Sequence, residues 1–138
     1  MDFNYPAIII SGILAMAIGA IWYGPLFGKL WLEVIGATKT DLKERKEMQK
    51  QAMPFYVIQF ILALFQIWVF AWYLSALPQY TGLTHALWIW AAFIIPTLAG
   101  TVMWTNKSNK IKLTQFLLQG GYQLIIFMMF GLILHFWK

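Results

Sequence analysis

Of the polar side chains within the uncharged stretches of this 138-residue chain, six fall into pairs by their spacing. Gln59 and Gln66 are seven residues apart, Thr97 and Thr101 four apart, and Gln119 and Gln123 four apart, so each pair shares one helix face. Tyr122 adds a hydroxyl beside Gln123. A primary amide taken out of water is costly unless it is paired. The economical arrangement therefore points all of these groups inward, as a polar seam. Such a seam is a pathway or pocket for a small neutral solute. Alternatively it is a set of interhelical hydrogen bonds, each worth about 0.6–2 kcal/mol. Two histidines, His85 and His135, sit at the same end of their segments. Facing one another they are candidates to ligate haem or a divalent metal, but a third ligand is missing. The alternative is a solvated interfacial pair, and no metal or cofactor is expected.

Other chemistry is excluded by what the chain lacks. There is no cysteine, so thiolate nucleophiles, disulfides and Cys-ligated metals are out. No Ser-His-Asp set, carboxylate pair or glycine-rich phosphate loop is present. Asp41, Glu44 and Glu47 alternate with lysines and read as a solvated helix face. No acid lies within an apolar stretch, which argues against proton-driven exchange. The chain is not expected to be an enzyme.

The elements that position the polar groups follow from the charges. Every Lys, Arg, Asp and Glu lies outside Phe3–Gly28, Gln51–Asn106 and Leu113–Trp137. With 61% hydrophobic and 11% charged residues, the chain is far less charged than soluble domains, which carry about 25%. A spanning helix takes roughly 20 apolar residues. The pattern predicts an all-α, single-domain bundle of four transmembrane helices, at about 7–24, 55–77, 84–104 and 113–136. The first stretch lacks a basic leading region, so it is expected to be a retained span rather than a signal peptide. Ten of the fifteen charges fall in Lys29–Lys50, predicting a cytoplasmic helical segment over 29–51. Leu30, Trp31, Val34 and Ile35 recur at helical spacing, as in a helix lying along a membrane surface. Gly36 is placed to end that helix and Thr38 to start a second, polar one. Pro54 is expected to open the second span.

Packing signals are small residues, because helices in lipid gain little from hydrophobicity. Ser11, Ala15 and Gly19 form one ridge; Ala92, Pro96 and Gly100 form another. Gly120-Gly121 permits a close approach beside the glutamines. Six basic residues between spans one and two, and three between spans three and four, place those loops in the cytoplasm and both termini outside. The net charge of +5 reflects this orientation and not nucleic-acid binding.

The run Gly19 to Trp31, with Trp22, Tyr23, Gly24, Pro25, Phe27 and Gly28, is distinctive. So are Phe93–Thr97 with Trp104, and Gly121-Tyr122-Gln123 in the last span. Together they resemble the bacterial membrane family known as domain of unknown function 1761. The resemblance covers nearly the whole chain. It implies a small multi-span protein of a bacterial inner membrane and supplies no activity or catalytic residue. Gln123 stands where the family pattern leads us to expect His. The working expectation is a passive or facilitative pathway for a small neutral solute. Its rival is a structural or regulatory subunit that associates with itself or with another membrane protein. The expected partners are the lipid bilayer and further copies of the chain.

Overall fold

The computed structural model describes residues 2–137. Among them helix is the only regular structure, and four helical stretches are long and apolar enough to cross a membrane: Tyr5–Leu26, Leu42–Ala76, Gly82–Met103 and Asn109–Phe136.

Helix α1 (Tyr5–Ile21) starts at Asn4, whose Oδ1 accepts from the Ala7 N–H at 3.0 Å, with Pro6 in the first turn, where its missing N–H does no harm. Asn4 Nδ2 also donates to the Trp137 carbonyl at 3.0 Å, tying the start of α1 to the end of the last helix. At Trp22–Leu26 the helix widens into a π turn around Pro25, and the Phe27 N–H reaches back five residues to the Trp22 carbonyl. A proline ring collides with the carbonyl four residues before it, and the wider turn relieves that collision. Helix α2 (Gly28–Ile35) follows and ends at Gly36 in the left-handed conformation (φ 73°), as expected for that glycine.

The segment after α2 differs from expectation. Thr38 starts nothing; Asp41 caps the next helix, accepting from the Glu44 N–H at 2.8 Å. The charged stretch is not a separate helix ending before Pro54. It is the first part of one continuous helix, α3 (Leu42–Ala76), of 35 residues. Pro54 lies inside it, near the change from charged to apolar sequence. The carbonyl that Pro54 frees belongs to Lys50, in the charged part, where water can satisfy it. At 1.5 Å per residue α3 is about 52 Å long, well beyond a hydrocarbon core of about 30 Å.

The third span is α4 (Gly82–Ile89), a π segment (Trp90–Ile94) and α5 (Ile95–Met103). The π segment ends just before Pro96, which thus stands in the first turn of α5. Helix α6 (Asn109–Phe136) is capped by Ser108, which accepts from the Ile111 N–H. Lys112 donates to the Met103 carbonyl at 2.8 Å and so closes the carboxyl end of α5, where a cation is favoured.

Helix α6 is the hub. It packs against α1, α2, α4 and α5, while α3 leans mainly on α1. The core joins Ile8 and Ala15 of α1, Ile67 and Phe70 of α3, Ala86 of α4, and Ile126, Phe127 and Phe130 of α6. Phe127 meets Phe70 and Phe130 edge-on, with centroids 5.6 and 5.5 Å away. The remaining surface is large and apolar. The accessible area is 9299 Å², against about 7,400 Å² for a soluble protein of this mass. Phe55, Phe65, Phe93 and Trp104 are among the many large apolar side chains left outside.

Two glycines set the tightest crossing, that of α4 on α6. A Cβ on Gly82 would overlap the Gly131 carbonyl, and a Cβ on Gly131 would overlap that of Gly82. Neither stood out in the sequence. On α1, Ser11 and Ala15 are buried, Gly19 lies against the Tyr122 hydroxyl, and Gly12 lies against Leu64 and Phe60. The second ridge does not hold as a contact within the chain: Ala92 and Pro96 are exposed, and a Cβ on Gly100 would meet nothing.

Gly131→Ala must therefore push two backbones apart, at a cost of about 1–3 kcal/mol typical of overpacking. Gly100→Ala should be neutral or stabilising by up to about 1 kcal/mol, since it only removes backbone freedom. Thermal unfolding of both variants in detergent should lower Tm for the first and leave it level or raised for the second.

Candidate functional site

The segments singled out by the sequence converge on the middle of α6. Gly120 and Gly121 leave a bare strip of backbone there, and large side chains occupy it. The Trp22 ring lies over Gly121, where a Cβ would come within 3.1 Å of it, and its Nε1 donates to the Leu118 carbonyl at 3.0 Å. From the third span, Ile95 covers Gly120, and Trp90 Nε1 donates to the Gly120 carbonyl at 2.9 Å. In the opposite sense, Tyr122 of α6 reaches into α1 and donates to the Ala15 carbonyl at 2.7 Å, its hydroxyl fitting where Gly19 has no side chain.

A carbonyl oxygen has two lone pairs, so these helical carbonyls can accept a side-chain hydrogen as well as their helical one. Three polar hydrogens are thereby satisfied with no water. Aromatic contacts fix the turn after α1 on the same spot. Tyr23 meets Tyr122 at 5.5 Å and Trp31 at 4.7 Å, and Trp22 meets Phe27 at 4.6 Å. The π turn at Pro25 folds α2 back against α6.

The inward seam expected from the sequence is therefore only half present. Gln119, Tyr122 and Gln123 are partly buried on α6. Gln119 Oε1 accepts from Gln115 Nε2 at 3.4 Å, and Gln115 Oε1 accepts from Lys107 Nζ at 3.0 Å, so this polar line runs to the loop before α6. Gln59 and Gln66 on α3, and Thr97 and Thr101 on the third span, are instead exposed on the outside of the bundle. Thr101 satisfies itself by donating to the Leu98 carbonyl at 2.8 Å. The physical reason is that the spans are apolar all round, so helical spacing shows which residues share a face but not which way the face turns.

Among the described residues, two buried side-chain polar atoms have no hydrogen-bond partner: Ser11 Oγ and Gln123 Oε1. The histidines are not brought together. His85 is buried between Tyr73 and Tyr80, with Nε2 2.9 Å from the Leu77 carbonyl, while His135 rests edge-on against Phe136. From the Gly82–Gly131 crossing, one lies a turn toward the bundle middle and the other a turn toward its end. Each ring is engaged by its own neighbours instead. No group of three His, Cys, Asp or Glu placed to hold a metal occurs among the described residues.

Sequence reasoning missed the indole donors Trp22 and Trp90. The available signal was that both tryptophans fall inside apolar segments, where each indole N–H needs an acceptor.

These features define a class: a small helical protein with the make-up of an integral membrane protein, its four apolar stretches gathered on a central helix. Within it, the chain belongs to the family described as proteins of unknown function (DUF1761), whose model matches residues 6–135. No curated protein and no solved structure matches the chain.

The unpartnered hydroxyl makes a sharp prediction. Ser11→Ala removes a buried oxygen that gains nothing and should stabilise the protein, by up to about 1–3 kcal/mol if the whole desolvation cost is recovered. Tyr122→Phe should destabilise by about 0.6 kcal/mol, a usual value for one interhelical bond between spans. Reversible unfolding in mixed micelles checks both signs.

Proposed function

We propose that this chain is a self-associating subunit of a bacterial inner membrane, and that the outward face of α3 is its association surface. The observation that carries this reading is a heptad. Phe55, Gln59, Leu62, Gln66 and Val69 follow one another at spacings of four, three, four and three, and all five are exposed on α3. That alternation is the seam of a coiled coil, and a polar residue recurring at one core position fixes register and partner number. Gln59 and Gln66 recur in that way, seven residues apart. Facing lipid, each amide would lose its hydrogen-bond partners. Facing the same residue of a second copy across a two-fold axis, each finds one, since an amide carries both donor and acceptor.

The helix itself supports the reading. Of the apolar residues on α3, only Ala63, Ile67 and Phe70 are buried by the chain's own bundle. The charged Leu42–Gln51 portion extends the same helix beyond the apolar part. In the proposed orientation it projects into the cytoplasm with the lysines of the loop before α6, while both termini lie outside. A solute path through one copy has little to support it: four of the expected lining groups stand outside, and Trp22, Trp90 and Tyr122 fill the interior. A structural or regulatory subunit needs no such path.

The chain has no cysteine, so introduced cysteines report contacts without background. Leu62→Cys should form a disulfide-linked dimer in oxidised membranes. Ile61→Cys, exposed but turned about 100° away, should not. Replacing Gln59 and Gln66 together with Leu should weaken the Leu62→Cys link about tenfold at low protein density, from about 1–2 kcal/mol of amide pairing. Equal linking at positions 61 and 62, or none at either, would contradict the reading.

A further inference from the structure

Where α3 hands over to α4, Tyr73, Leu77, Tyr80, Thr84, His85 and Trp88 line an open cleft of about 390 Å³. Its chemistry is unusual for so apolar a chain. His85 is only 3% exposed, and its Nε2 lies 2.9 Å from the Leu77 carbonyl. A carbonyl can only accept, so Nε2 carries the hydrogen and Nδ1 of the neutral ring is left as an acceptor. No second hydrogen bond to this ring occurs among the described residues. The rings of Tyr73 and Tyr80 stand at 78° and 90° to the imidazole, with centroids 5.1 and 5.7 Å away. Trp88 and Tyr80 are 68% and 53% exposed and so open to an incoming group. The Thr84 hydroxyl is already engaged with that of Thr81 at 2.9 Å. Among the described residues no charged side chain lines the cleft.

Aromatic faces carry negative potential and attract cations, which is how cages of such rings hold alkylammonium groups. A lone pair on Nδ1 adds an acceptor for an N–H. An anion finds no positively charged side chain among the residues that line the cleft. We propose that this cleft binds a primary alkylammonium group, held against Tyr73, Tyr80 and Trp88 and donating a hydrogen bond to Nδ1 of His85. The cleft lies at the ends of the second and third apolar stretches, level with lipid headgroups if those stretches cross a bilayer. The ammonium can therefore come from an aminoethyl phospholipid or from a free amine in solution.

The test uses the full chain in nanodiscs and native mass spectrometry. In discs mixing phosphatidylethanolamine with phosphatidylcholine, the first should be retained on the protein preferentially, and ethylammonium chloride should displace it. Trp88→Ala and Tyr80→Ala alter exposed rings and should each weaken retention about two- to fivefold, the range for one cation–π contact. Retention should fall at the last step of headgroup N-methylation, which removes the final N–H that can donate to Nδ1. If ethylammonium adds to the protein in pure phosphatidylcholine discs but phosphatidylethanolamine is not preferred, the site stands and its ligand is a free amine. Equal retention of both lipids with no ethylammonium adduct, or retention indifferent to Trp88→Ala and Tyr80→Ala, would overturn the proposal.

Discussion

A polar hydrogen inside hydrocarbon has no water to turn to, and this structure is arranged around that constraint. The indoles of Trp22 and Trp90 and the phenol of Tyr122 all donate to backbone carbonyls of a neighbouring helix. Each bond requires two helices to come within side-chain reach of one another's backbone. Glycine makes that possible: Gly120 and Gly121 admit Ile95 and Trp22, and Gly19 admits Tyr122. The bonds are individually weak, about 0.6 kcal/mol each, because the separated helices also find partners. Their main effect is on position. They set the rotation of α1 and of the third span about α6, which apolar contacts alone leave loosely defined.

The two π segments serve the same end. Each lies beside a proline, Pro25 or Pro96, and each turns a tryptophan toward α6. In the first case α2 follows directly and packs on α6, and Tyr23 joins Trp31 to Tyr122. At the opposite end of the bundle, Gly82 and Gly131 bring backbones into direct contact, and Asn4 closes the end by its bond to Trp137. Helix α3 shares little of this. It touches the core through Ala63, Ile67 and Phe70 and leaves the heptad-patterned face from Phe55 to Val69 exposed, which is why association is placed there.

Much of the architecture was legible in the sequence. Charge exclusion located four apolar helices, Pro6 fell in a first turn, and Gly36 took the left-handed cap. The family resemblance was carried by segments that turn out to touch one another at Gly120-Gly121. What was not legible has a common cause. A helix that is apolar all round gives no sign of its inward face, so Gln59, Gln66, Thr97 and Thr101 were turned the wrong way. Pro54 read as a helix start because its preceding residues are charged, yet a helix can run through a proline where water satisfies the freed carbonyl. Gly82 and Gly131 lie in different segments, and nothing local reveals that two distant glycines meet.

Amide hydrogen exchange of the chain in lipid nanodiscs shows whether hydrocarbon surrounds a bundle organised on α6. Exchange should be slowest around Leu118–Phe130, slow through the apolar part of α3, and complete within minutes for Leu42–Gln51 although it belongs to the same helix. Exchange at Leu118–Phe130 as fast as at Leu42–Gln51 would contradict that organisation.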